Sequence, residues 1–275
     1  MSAAPLCRHC AAPLRLSFAD LGATPIANDF LSEAALLSAE PYYPLHAFVC
    51  QTCRLVQLQD FLRPDQIFRD DYAYFSSFSE TWLAHAKRYA HDMAARFALN
   101  GKSLVVEVAS NDGYLLQYFD ALGVPVLGVE PSLSVAAVAR QKGLRTNVAF
   151  FGRDTAATIR VETGGADLIV ANNVFAHVPD VNDFAAGFAA LLNPGGVVTI
   201  ENPHLLNLIA LNQFDTIYHE HYSYLSLLAG RTHSGAARAA RVRRGNAHDA
   251  WRLASLLRVP RGRRFPRDAG SCGHA

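Results

Sequence analysis

Two C-x-x-C knuckles, Cys7/Cys10 and Cys50/Cys53, constrain this chain more than any other feature of its sequence. Two residues between the thiols let both sulfurs approach one ion from a tight turn, and a second such turn completes a tetrahedron. Residues 1–60 are therefore expected to form a unit closed on a four-sulfur structural zinc; the alternative is a pair of chance dipeptides or redox pairs. Short apolar runs mixed with Pro25, Pro41 and Pro44 predict an irregular small domain that depends on its metal. His9 lies inside the first knuckle, but four sulfurs need no fifth ligand. Cys272 has no partner in this pattern and is given no role. Thiolates persist as ligands in a reducing compartment. The N-terminus also lacks a basic start followed by an apolar stretch, so a cytoplasmic location is expected.

Beyond Cys53, Leu55-Val56-Gln57-Leu58 reads as a strand, and an aromatic segment follows at 71–77, D-Y-A-Y-F-S-S. Trp82, Leu83, Ala86, Tyr89, Met93 and Phe97 then recur at helical spacing over 80–99, and Asn100-Gly101 closes the helix. Residues 61–100 thus read as a linking segment. From Lys102 onward strands and helices alternate. Strands are predicted at 104–108, 126–130, 145–148 (weak), 168–171 and 197–201, with helices at 113–122, 134–142, 154–162 and 181–192. Such alternation predicts an α/β fold over 101–229, a parallel Rossmann-like sheet with helices on both faces. The 51% hydrophobic content is enough for that core, while no apolar run is long enough to cross a membrane.

Ligands bind such sheets at the carboxyl ends of the strands. The first loop reads Glu107-Val108-Ala109-Ser110-Asn111-Asp112-Gly113. Only Gly113 is fully permissive there, so the glycine cradle for a dinucleotide pyrophosphate is missing and NAD is not expected. The loop suits a smaller adenosine ligand with a charged amino-acid end. The second strand ends at Glu130, where a carboxylate can accept both ribose hydroxyls; the plainer reading is a solvated strand end. Asn172 and Asn173 put amides at the rim after the fourth strand, where turn and cap duty is the alternative.

Four stretches together, E-V-A-S-N-D-G-Y-L-L, G-V-E-P, A-N-N-V-F-A-H-V-P-D and F-D-T-I-Y-H-E-H-Y-S-Y, resemble the S-adenosylmethionine-dependent sugar C-methyltransferases. The resemblance runs from Cys7 to about Leu228. It implies a small zinc-binding domain followed by a class I methyltransferase domain, with S-adenosylmethionine and zinc as cofactors. The implied substrate is a nucleotide-linked keto-deoxysugar. The implied cofactor residues are Glu107, Ser110, Asn111, Asp112, Gly113, Glu130, Asn172 and Asn173.

Methylation of a carbon beside a ketone needs a base for the α-proton and a group to steady the enolate. Tyr218, His219, Glu220, His221, Tyr222 and Tyr224 concentrate such groups. On an extended segment Tyr218, Glu220 and Tyr222 would share one face, with His219 and His221 on the other. By resemblance His221 is the base, Glu220 and Tyr218 order it or relay its proton, and Tyr72 steadies the enolate oxygen. His219 and His221 could instead bind a metal or be satisfied core histidines. For His177 and His204, each just past a strand end, ligand contact and loop polarity are equally open.

Charge divides the chain. Residues 1–229 carry 14 Lys and Arg against 22 Asp and Glu, whereas 230–275 carry 11 Arg against Asp249 and Asp268. An acidic body without interleaved basic and aromatic residues argues against nucleic acid, including a zinc-ribbon RNA methyltransferase, and no membrane partner is indicated. The Arg- and Ala-rich tail reads either as a disordered basic extension or as a change of reading frame. Back-translated with permitted codons and shifted by one nucleotide, residues 230–255 can read V-G-R-I-L-A-R-H-G-L-R-V-F-D-V-E-T-P-T-T-H-G-G-S-L-R, which continues the family pattern. On that reading the last two strands are missing, 197–201 becomes an exposed apolar edge, and activity is impaired. A non-catalytic remnant that binds zinc and cofactor is the competing function.

Overall fold

The computed structural model describes residues 4–64 and 74–226, together with the backbone of 238–239 and 252–258. Tyr72 and most of the Arg-rich tail, Cys272 included, lie outside the described residues. Two sheets organise the chain. In residue ranges, the smaller has the strand order 16–24, 43–49, 56–58, 223–224 and the larger 238–239, 252–258, 192–203, 166–172, 105–108, 126–129, 146–147.

The smaller sheet corrects the expectation of an irregular zinc domain. Strand β1 (Leu16–Thr24) pairs antiparallel with β2 (Tyr43–Val49), and β2 pairs with β3 (Val56–Leu58). Register shifts between Ser17 and Ala19 and between Asp20 and Ala23 break the two-residue alternation that would have marked β1 in the sequence. Pro44 is tolerated because β3 pairs only with Ala47, Phe48 and Val49, leaving the other side of Pro44 without a ladder partner in β3.

Helix α1 (Glu80–Phe97) starts where Ser79 Oγ accepts the Trp82 amide and ends at Ala98, whose left-handed backbone (φ 51°) turns the chain. The parallel strands β4 (Val105–Val108), β5 (Val126–Val129), β6 (Thr146–Asn147), β7 (Ala166–Asn172) and β8 (Leu192–Pro203) alternate with α2 (Leu116–Ala121), α3 (Leu133–Gln141), α4 (Arg153–Thr163) and α5 (Val181–Leu191). Val106, Val108, Ile169 and Ala171 pack on one face with Ile159, Phe184 and Phe188, while Val105, Leu168 and Val170 pack on the other with Ala86, Ala90 and Phe119. Burial on both faces is why these strands read as continuous apolar runs.

The predicted bare edge is also corrected. Strand β11 (Arg252–Arg258) runs antiparallel along β8, from Pro203 to Val197, and β10 (Arg238–Ala239) pairs with β11. An unpaired strand edge recruits any extended segment within reach, and R-L-A-S-L-L-R supplies three leucines in a short run. After β8, helix α6 (Leu205–Ala210) leads to β9 (Ser223–Tyr224), which returns to pair with β3. The core of the smaller sheet is completed by Leu205, Ile217 and Tyr224 from this return.

Candidate active site and metal centre

The two knuckles are built alike. Cys7 and Cys50 each accept a backbone bond from the residue four positions on, Ala11 and Arg54, both in left-handed conformation (φ 57° and 66°). The four sulfurs lie within 4.8 Å of one another, with Cys7–Cys53 at 3.6 Å and Cys10–Cys50 at 3.5 Å. Thiolates about 2.3 Å from a tetrahedral zinc stand at this kind of spacing, so the donor set fits the ion. Against burial, which raises it, the N–H groups of Cys53 and Thr52 hold the Cys50 thiol down at about 7. Buried Gln57 donates to Cys7 Sγ (3.1 Å) and accepts from the Arg8 amide (2.9 Å). His9 is no ligand: it shares two bonds with Asn182, Nδ1 to Oδ1 at 2.8 Å and the return from Nδ2 to its carbonyl at 2.9 Å.

A cavity of about 1390 Å³ opens at the carboxyl ends of the parallel strands. Asn111, Glu130, Asn172 and Asn173 line it, as do Tyr218, Glu220 and His221. The cofactor and catalytic candidates therefore share one space. Asn172 fits a polar ligand best, since both its amide atoms are buried and have no hydrogen-bond partner in the protein.

The loop after β4 takes positive φ at Ala109 (54°), Asn111 (50°) and Gly113 (77°). The alternating left-handed geometry that glycines usually supply is thus kept with alanine and asparagine. Glu130 organises it, accepting the Asn111 amide on one oxygen and the Ser132 amide on the other, both at 2.9 Å. The Asn111 side chain also ties down the aromatic segment, accepting the Ser76 amide and donating to the Tyr74 carbonyl. Asp112 pairs with Lys142 (3.4 Å). Glu107 and Ser110 are buried beneath the loop, with Ser110 Oγ filling the space a Cβ on Gly128 would need. Burial pushes the Glu107 carboxyl well above the usual range, and the neighbouring Glu130 and Asp112 add to this. Glu107, Ser110, Asp112 and Gly113 do not line the cavity.

Residues 218–221 form a turn closed by the His221 amide on the Tyr218 carbonyl (2.9 Å). The expected extended alternation is absent, because that local bond replaces a strand partner. The turn sends Tyr218, Glu220 and His221 to the cavity. His219 instead bonds the Pro44 carbonyl (3.2 Å) and meets Tyr43 edge-on, while Tyr222 donates to the Leu62 carbonyl. The cysteine set is the sole metal-type cluster among the described residues. His221 Nδ1 must donate to the Thr216 carbonyl (2.8 Å), which leaves Nε2 to accept from the Tyr218 hydroxyl (3.0 Å). Burial lowers the His221 pKa and raises those of Tyr218 and Glu220.

Sequence reasoning missed Asn28, whose amide donates to Glu220 Oε1 (2.7 Å) from a left-handed turn (φ 61°) of the N-terminal unit. Only the short polar side chain at such a turn could have pointed to it. His177, open in the sequence, lines the cavity with its ring 4.6 Å from that of His221. His204 instead caps α6, accepting the Leu206 amide.

A mostly parallel sheet with its cavity at this rim, fronted by a four-cysteine centre, defines a Rossmann-like methyltransferase with an N-terminal zinc-binding unit. Residues 7–68 match the family described as "Putative zinc binding domain" and residues 82–229 the "Methyltransferase domain" family. The chain belongs to the S-adenosylmethionine-dependent methyltransferases. It is 36% identical over 221 residues to C-methyltransferase NovU of Streptomyces niveus, covering 80% of this chain and 52% of that protein. It is 31% identical to a ubiquinone biosynthesis O-methyltransferase of Bradyrhizobium sp. (strain ORS 278), over 46% of this chain and 59% of the relative. The chain spans little more than half the length of these relatives.

Solved structures share the fold. 1,6-Didemethyltoxoflavin-N1-methyltransferase of Burkholderia thailandensis, with bound S-adenosylhomocysteine, gives a TM-score of 0.51 at 17% identity, covering 75% of this chain and 95% of its own. Magnesium protoporphyrin IX methyltransferase of Synechocystis PCC 6803, with bound SAH, gives 0.50 at 16%, covering 64% and 83%. Among the described residues, no helix is long and apolar enough to cross a membrane.

Proposed function

We propose that the chain is a C-methyltransferase acting on a nucleotide-linked keto-deoxysugar through base-assisted enolate formation. The observation that carries this reading is the oriented pair Tyr218–His221 on the same cavity as Glu130 and Asn172. Similarity to NovU supports carbon as the acceptor. Glu130, with free lone pairs beyond its two amide bonds, would hold the ribose, and Asn172 would meet the adenosine. When bound, S-adenosylmethionine supplies the electrophilic methyl group.

The chain's own residues handle the proton. His221 is neutral, with its Nδ1 hydrogen held by Thr216, so Nε2 is the basic atom. Burial keeps Tyr218 from ionising. Its hydroxyl therefore passes its hydrogen to Nε2 only as it takes the α-proton from substrate carbon. The electron pair of that C–H bond moves into the enolate, and Tyr72 is the residue proposed to steady the enolate oxygen. Glu220, fixed by Asn28, orders the turn.

His221→Ala should lower methyl transfer to a nucleotide-linked keto-deoxysugar by about 10²–10⁴-fold, the scale of a general base. Calorimetric affinity for S-adenosylhomocysteine should stay the same. Unchanged turnover in that variant would remove His221 as the base.

A further inference from the structure

The two spacer residues of the first knuckle, Arg8 and His9, both leave the metal centre for the cavity wall. The Arg8 side chain is only 6% exposed. Its guanidinium donates to the Leu58 carbonyl (2.7 Å), to Asp60 (2.6 Å) and to the Pro179 carbonyl (3.0 Å), and it lies 5.2 Å from the centre of the Tyr222 ring. Pro179 is two residues after His177, and Tyr222 directly follows His221. One buried side chain therefore holds the flanks of both histidines whose rings meet across 4.6 Å. Beside it, the reciprocal His9–Asn182 pair fixes the start of α5, just past the same loop.

We infer that Arg8 is a positioning residue, through which the metal knuckle sets His177 and His221 against each other. The four sulfurs fix the knuckle, and Gln57 ties the Arg8 amide to Cys7 Sγ. The planar guanidinium serves two carbonyls, one carboxylate and one aromatic face at once, which an ammonium cannot do. Groups that orient a reacting pair act through such fixed registers, and a displacement of about 1 Å costs on the order of 10²-fold in rate.

The consequence for catalysis rests on the His221 reading above, but the geometry can be tested without it. Zinc-loaded protein with labelled histidines should show a nuclear Overhauser contact between the His177 and His221 rings. In Arg8→Met that contact should fall at least about threefold while zinc stays at one per chain. Arg8→Lys should restore part of it. Asp60→Asn should leave it intact, because Asp60 is 48% exposed and the amide oxygen of asparagine can still accept from the guanidinium. Turnover of Arg8→Met on a keto-sugar nucleotide should drop about 10–100-fold in kcat, with KM little changed.

An undiminished ring contact in zinc-loaded Arg8→Met would overturn the inference. If Arg8→Met does not fold, Arg8→Lys decides: a wild-type contact there overturns the inference and a weakened one supports it. A weakened contact with unchanged kcat would uphold the positioning role and count against His221 as the base.

Discussion

The seven-stranded sheet behind the cavity and the four-stranded sheet around the cysteines hold together by different means. In the first, β4 is buried at every residue, and β-branched side chains meet helices on both faces. In the second, no residue of β1 is buried, and the core takes Leu205, Ile217 and Tyr224 from far along the chain. A small sheet with so little apolar cover cannot offset its ordering entropy alone. The sulfur cluster and the borrowed residues make up the difference. The four sulfurs thus stand in the unit with the poorer burial, and the residues proposed for catalysis lie where the two units join.

Removing the metal should break the comparison most sharply. Cys50→Ser should release zinc, whose binding in small domains carries about 10–16 kcal/mol of folding free energy. Hydrogen exchange should then lose protection in β1–β3 while β4, β5 and β7 keep theirs. Retention of one zinc per chain would contradict the four-sulfur site.

A smaller effect is expected at the join. Burial and neighbouring His221 hold His177 down at about 3, against an ordinary 6.5. The folded form therefore binds this proton less readily than the unfolded chain. Its contribution is fully present above about 6.5 and is lost as pH falls from there towards 3, on the order of a few kcal/mol. Denaturant titrations at stepped pH should show the parent losing stability with acid more steeply than His177→Gln. Parallel curves would mean that His177 titrates alike in both states.

The smallest change concerns the larger sheet alone. Glu130→Ala should weaken S-adenosylmethionine binding by about 1.5–3 kcal/mol, measured by calorimetry. Zinc content and β1–β3 protection should not move. Equal affinity in variant and parent would take Glu130 out of the cofactor site.

What was legible follows the same division. The parallel strands were readable because two-sided burial writes itself as apolar runs, although β8 starts earlier than expected and passes through Pro194, Gly195 and Gly196. The cysteine spacing identified the metal centre. Strands β1 and β2 were hidden by register shifts and prolines, and the pairing of β11 by its Arg-rich setting. The Y-H-E-H-Y pattern singled out residues of which Tyr218, Glu220 and His221 line the cavity, but the extended geometry expected of it is absent. Polar alternation looks like a strand, and nothing local announces the bond that turns residues 218–221. Asn111, which lines the cavity, also clamps residues 74–76 through one accepted and one donated bond, and no local signal announces that contact.

The return of β9 to β3 also has a meaning in time. Synthesis is vectorial, and the cysteines emerge from the ribosome long before Leu205, Ile217 and Tyr224 exist. At 5–20 residues per second, the smaller sheet waits roughly ten to thirty seconds for the residues that complete its core. Early capture of zinc by the nascent chain would hold β1–β3 together through that interval.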